Sequence, residues 1–145
     1  MNFFGSASRA QLDTVDPRLK NLAYAVLRIK DHSIIKGYRN EDEQNSAFDS
    51  GTSKLPWPRG KHNRLPSLAM DVQTHPRPSN PQKLREEQFY LLGLYKGIAE
   101  AMGIKIRCGG DWDCDGEVSD NGWDDLFHVE IAQFPFCGFE NEKVE

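Results

Sequence analysis

Long hydrophobic runs are missing from this sequence. A bilayer-spanning helix needs about 18 consecutive apolar residues, and the longest loosely apolar stretch is interrupted by Lys96 and Glu100. No transmembrane helix and no stable membrane association are expected. Cationic runs are missing too: 18 Lys and Arg stand against 22 Asp and Glu, a formal charge of -4. Without a basic stripe there is no electrostatic footprint for a polyanion, and no nucleic-acid partner is expected. The opening residues Met1-Asn2-Phe3-Phe4-Gly5-Ser6 lack the basic segment and the apolar core of about 7–15 residues that make a secretory signal. Synthesis in a cytoplasm is therefore expected. Cysteine is scarce: Cys108, Cys114 and Cys137 cannot all pair within one chain. With no secretion signal, that odd count favours reduced thiols over a disulfide framework. There is no internal repeat.

What remains is a chain of 145 residues, 38% apolar and 28% charged, the profile of one folded soluble domain. A helix is expected over 16–30, with Asp16 capping, Pro17 in the first turn, and Leu19, Leu22, Ala23, Val26 and Leu27 on one stripe. A strand over 33–38 leads to Arg39, a short helix covers 41–49, and Pro56, Pro58, Gly60 and Pro66 mark 52–66 as an ordered loop. Strands follow at 68–72, 104–107 and 127–131. The longest helix starts at Asn80-Pro81 and stops at Gly103; Gly93 and Gly97 on it mark a close contact with the sheet. Helices packed on one side of a small, mostly antiparallel sheet give an α+β domain.

His62, Asp71 and His128 stand at loop or strand edges, and each offers a nitrogen or oxygen that divalent transition metals accept. Two nitrogens and one oxygen leave a tetrahedral ion one open position. That position separates catalytic from structural zinc, because water held there has its pKa lowered toward about 7. On spacing alone the pattern is weak: a His and an Asp nine positions apart, with a distant second His, also arise as ordinary surface residues.

Five strings sharpen it: Gly37-Tyr38-Arg39, Lys61-His62-Asn63, Pro66-Ser67-Leu68-Ala69-Met70-Asp71, Gly109-Gly110-Asp111-Trp112-Asp113 and Asp125-Leu126-Phe127-His128-Val129-Glu130. In this order the chain resembles the phage L-alanyl-D-glutamate peptidases. These are D-alanyl-D-alanine carboxypeptidase-like zinc peptidases, related in fold to the hedgehog signalling domain. The resemblance implies that His62, Asp71 and His128 bind one zinc ion, that Asp125 is the general base, and that Arg39 polarises the scissile carbonyl. Such chemistry needs a carboxylate to move a proton from attacking water to the leaving amine, and a guanidinium to meet the charge that develops on oxygen. The family's metal motif reads Ser-x-His-x-x-Gly-x-Ala-x-Asp; here Gly60 replaces the Ser, Ser67 replaces the Gly, and the interval is two residues longer. Some relatives use a glutamate near the last His as base. Glu130, two along the strand from His128, shares its face and is read as a supporting partner of the site or a satisfied structural carboxylate, behind Asp125.

A second metal motif is Asp111-Trp112-Asp113-Cys114-Asp115-Gly116, which matches positions 1, 3, 5 and 6 of an EF-hand loop, with Glu117 at position 7. Gly122 replaces the bidentate Glu of position 12, and Asp120 or Asp124 stands in. Calcium held by Asp111, Asp113, Asp115, Glu117 and Asp120, and a merely solvated acidic turn, are the two readings. His32 reads as a cation at a helix C-terminus and His75 as a loop residue; Trp57, Trp112 and Trp123 either line a substrate cleft or, the favoured reading, anchor loop packing, with Trp112 in the core. A Cys₃His zinc site from Cys108, Cys114, Cys137 and His128 fits poorly, since the five-residue gap after Cys108 exceeds the usual knuckle spacing.

The resemblance implies a monomeric endolysin that cleaves the L-Ala-D-Glu bond of the peptidoglycan stem peptide. It would be made in the host cytoplasm and reach the wall in the periplasm after the membrane is permeabilised. A D,D-carboxypeptidase acting on D-Ala-D-Ala and a non-catalytic metal-binding virion module are the alternatives.

Overall fold

The computed structural model describes residues 1–119 and 124–133. Among them the elements run α1 (Ser6–Leu12), α2 (Pro17–Leu27), β1 (His32–Lys36), α3 (Glu41–Asp49), β2 (Ala69–Thr74), α4 (Pro81–Ala101), β3 (Ile106–Cys108) and β4 (His128–Ile131), with a 3₁₀ turn at Lys61–Asn63. The helices begin where side chains satisfy the first free N–H groups. Asp16 accepts from the Arg18 N–H ahead of α2, Asn40 and Glu43 close a capping box on α3, and Asn80 accepts from the Lys83 N–H ahead of α4. Past the end of α4, Gly103 takes a φ of 71°, the left-handed turn that suits glycine.

The four strands form one antiparallel sheet in the order β1-β2-β4-β3, so the chain has the expected α+β architecture. Side chains alternate across it. Met70 and Val72 of β2, Val129 and Ile131 of β4, and Ile106 and Cys108 of β3 join one buried cluster with Leu19, Leu22, Val26, Leu91 and Tyr95 from the helices. α4 packs on β2 and β3, α2 on α4, and α1 on β1. The opposite face carries Asp71, Gln73, Arg107 and His128, which line a cleft. Alternation thus puts an apolar core behind the sheet and polar chemistry in front of it.

Several expectations are corrected. α1 was not anticipated, because SASRAQL buries only Ser8 and Leu12 and shows no apolar stripe. α2 ends at Leu27 rather than at residue 30, and β3 starts two residues late, at Ile106. Gly93 and Gly97 do not mark contact with the sheet: a Cβ at either would meet nothing within 4 Å. They border a recess lined by Phe89, Leu92 and Val118. His32 is not a cation at a helix end. It is buried, donates from Nδ1 to the Lys30 carbonyl at 2.9 Å and accepts at Nε2 from the Tyr95 hydroxyl at 2.6 Å; burial pushes its pKa down to about 4. Nor are the cysteines uniformly reduced. Cys108 is free and buried, its thiol pushed up to about 12 by burial, whereas Cys114 is disulfide-bonded. Cys114 is therefore no thiolate ligand for a Cys₃His site; Cys137 lies outside the described residues.

Candidate active site

Register places the first pair of candidate ligands: Asp71 on β2 stands directly opposite His128 on β4. His62 arrives from the 3₁₀ turn of the preceding loop. The donor atoms of His62, Asp71 and His128 all lie within 4.8 Å of one another. Asp71 Oδ1 is 3.4 Å from His62 Nε2 and 3.8 Å from His128 Nδ1. The other ring nitrogens are already engaged. His62 Nδ1 donates to the Gly37 carbonyl at 2.7 Å, and His128 Nε2 donates to Glu130 Oε1 at 2.8 Å. Each imidazole is thereby oriented with its other nitrogen turned toward Asp71, the orientation a metal site requires. Two imidazoles, which give up a proton on binding metal, and one carboxylate suit a borderline-soft divalent ion, so the residues present fit such an ion.

The surroundings favour positive charge at that point. Burial opposes a proton on His128, yet Asp71 and Glu130 hold its pKa up at about 9. Burial likewise opposes charge on Asp71, but the His128 and His62 rings beside it keep the carboxylate well below its usual range. Glu130 is buried; burial works against its charge too, and the bonds from His128 and Lys61 bring it down to about 2. Lys61 and Arg107 also pair with it.

Arg39 is oriented from three sides. Its backbone N–H donates to the His62 carbonyl at 2.8 Å, its Nη1 donates to Gln44 Oε1 at 3.1 Å, and its Nη2 lies 3.5 Å from Asp71 Oδ2. Asp71 therefore divides its oxygens, one toward the histidines and one toward the arginine. Gln44 was not singled out in the sequence, yet it is buried on α3 with four bonds. Its Oε1 accepts from Arg39 and from Asn63 Nδ2, and its Nε2 donates to Ser53 Oγ and the Leu55 carbonyl. A capped polar helix hides this hub, because nothing in the pattern of α3 distinguishes a buried Gln from a solvated one.

Close backbone approach holds the remaining groups. A Cβ on Gly37 would fall 2.4 Å from Thr14 Oγ1, where the hydroxyl instead accepts the Tyr38 N–H. A Cβ on Gly109 would fall 1.9 Å from the Asp125 carbonyl, and the Asp125 N–H donates to the Gly109 carbonyl at 2.8 Å. Asp125 borders the cleft with its carboxyl pKa raised, first by burial and then by the charge of Asp71. A carboxyl lifted this way is a better proton acceptor at neutral pH. Trp112 is corrected from core to cleft: its ring is half-buried, 5.3 Å from that of His128, and carries the Arg107 guanidinium 5.1 Å above it.

The cleft measures about 930 Å³ and brings together Arg39, His62, Asp71, Asp125, His128 and Glu130. Asp111, Asp113 and Asp115 cluster separately, on the loop after β3. Hydrogen bonds within that loop engage them: Gly116 N–H to Asp111, Asp115 N–H to Asp113 and Glu117 N–H to Asp115. Asp120 lies outside the described residues, as do Gly122 and Trp123. Among the described residues no helix is long and apolar enough to cross a membrane.

The family described as phage L-alanyl-D-glutamate peptidase matches this chain over residues 1–132. The L-alanyl-D-glutamate peptidase of Escherichia phage T5 is 29% identical over 134 residues, which cover 89% of this chain and 97% of that protein. The crystal structure of the Serratia marcescens L-Ala D-Glu endopeptidase ChiX aligns with a TM-score of 0.69 over 91% of this chain and 90% of its own, at 21% identity. That likeness is one of fold.

Proposed function

Because the chain belongs to the phage L-alanyl-D-glutamate peptidase family, we propose that it is a zinc-dependent endopeptidase that cleaves the L-Ala-D-Glu bond of peptidoglycan stem peptides during host lysis. The observation that carries this reading is the convergence of His62, Asp71 and His128 beside Asp125 and Arg39 in one cleft. His62 Nε2, Asp71 Oδ1 and His128 Nδ1 would hold the ion, whose Lewis acidity activates water and polarises the carbonyl. Asp125 takes a proton from the attacking water and delivers it to the leaving amine. Arg39 donates to the oxygen of the tetrahedral intermediate. Glu130 keeps the His128 ring oriented and basic. Every one of these groups comes from one chain, so a monomer is sufficient. Its place of action is the wall, reached from the cytoplasm once the membrane is breached.

The test is digestion of purified peptidoglycan by the zinc-loaded protein, a chelated sample and a chelated sample restored with zinc, with released ends identified by mass spectrometry. New D-Glu amino termini that vanish with chelator and return with zinc are expected. Released D-Ala would select the D,D-carboxypeptidase, and zinc binding without cleavage would select the non-catalytic module.

A second reading concerns the Asp111, Asp113 and Asp115 cluster as a weak calcium site, supported by the approach of three carboxylates in one loop. Added calcium should raise the melting temperature, and Asp113→Asn with Asp115→Asn should remove that rise. A melting curve indifferent to calcium would leave a solvated acidic turn.

A further inference from the structure

We propose that Arg77 is the substrate-binding residue that reads the α-carboxylate of the D-Glu on the leaving side of the scissile bond, so that the enzyme prefers acidic over amidated peptide. This rests on the L-Ala-D-Glu reading above. The cleft is lined by six cations, Arg39, Lys54, Arg59, Lys61, Arg77 and Arg107, in a chain of net charge -4. Among the described residues Arg39 faces Asp71, and Lys61 and Arg107 face Glu130. Arg77 is held differently. Its Nη1 donates to the neutral Gln73 Oε1 at 2.6 Å, and its guanidinium lies 5.8 Å from the centre of the Phe127 ring. A neutral acceptor and an aromatic face orient the fork while leaving its charge available to a ligand.

The place of Arg77 gives the charge a target. Phe127, on which it stacks, donates its backbone N–H to Asp125 Oδ1 at 3.2 Å, so Arg77 and the proton-carrying carboxylate share one wall. Gln73, which orients it, sits two residues along β2 from Asp71 and points to the same cleft. Lys54 and Arg59 come from the 52–60 loop, which is tied instead to Arg39 through the bonds of Gln44 to Ser53 and Leu55. Asp125 must reach the departing nitrogen, so the residue that owns this nitrogen lies on the Arg77 wall. Where D-Glu is linked onward through its side-chain carboxyl, its α-carboxylate stays free on the carbon bonded to that nitrogen. A guanidinium on that side meets the carboxylate in a charge-assisted pair, and a carboxamide of the same size offers no charge to meet.

The experiment compares two soluble L-Ala-D-Glu peptides that differ only in that α-group, carboxylate or carboxamide, with the zinc-loaded enzyme. The unmodified enzyme should favour the acid by roughly 10- to 100-fold in kcat/KM, the range of one charge-assisted bond. Arg77→Ala should bring that ratio to within a few fold of unity, chiefly through a higher KM for the acid. Arg77→Lys should restore part of it, and Arg59→Ala should keep the full ratio. Equal turnover of both peptides by the unmodified enzyme, or an undiminished ratio in Arg77→Ala, overturns the assignment. Cleavage of neither peptide overturns the parent reading instead.

Discussion

At the residue scale, the side chains of this protein are defined by what the second atom of each polar group touches. His62 and His128 each spend one ring nitrogen on an anchor, Gly37 or Glu130, and present the other. Asp125 is the group on which turnover should depend most. Asp125→Ala should leave zinc stoichiometry at one per chain and lower kcat by roughly 10²- to 10⁴-fold, the range of general acid–base catalysis; unchanged turnover would remove it from its role. His32 makes a different prediction. With a folded pKa of about 4 against an ordinary 6.5, the unfolded chain binds the extra proton between those values. The contribution of neutral His32 is complete above pH 6.5 and is lost as pH falls toward 4, by up to about 3 kcal/mol. Denaturant titrations across that window should give a shallower pH slope for His32→Gln than for the unmodified protein, and parallel slopes would refute a buried neutral imidazole.

At the element scale, two close backbone approaches, each between segments with no side chain between them, hold groups that border the cleft. The Gly109-Gly110 turn after β3 lies against the segment that carries Asp125, and Gly37 at the exit of β1 lies against the turn after α1. Gly109→Ala should force the Asp125 backbone away, lowering kcat by at least about tenfold, since misplacement by about 1 Å costs up to 10²-fold. Zinc affinity should hold, because His128 remains fixed by its pairing in β4. Measuring kcat and bound zinc on the same sample separates the two effects. The helices and strands themselves were largely legible in the sequence. Asp16-Pro17, Asn40 with Glu43 and Asn80-Pro81 announce helix starts through local hydrogen bonding, and Gly103 announces a stop. α1 escaped because it holds its place through few apolar contacts, Leu12 foremost, and through Ser8, whose hydroxyl accepts the Ile34 N–H.

At the scale of the whole molecule, the sheet separates a stabilising face from a reacting one, and the metal would join elements far apart in sequence: a loop, β2 and β4. An ion bound only by the folded arrangement stabilises it by mass action. Saturating zinc should therefore raise the melting temperature, by several degrees at a hundredfold excess over Kd, and His62→Ala with His128→Ala should abolish the rise. A zinc-independent melting curve in the unmodified protein would count against the site.

By itself the sequence determined the α+β order of elements, the family, and the identity of the candidate ligands, because caps, alternation and five ordered strings are local patterns that a linear reading recovers. Only the tertiary structure decided which atoms meet. The register of β2 against β4 set Asp71 opposite His128, alternation on β3 turned Arg107 toward the cleft and the loop after it brought Trp112 there, bonds from α3 to the following loop and to Arg39 made Gln44 a hub, and burial against Tyr95 made His32 a neutral core residue. Arg77 gained its position in the same way, from a ring contributed by the far end of the chain. These contacts form only when the chain closes on itself, and local composition carries no trace of that closure.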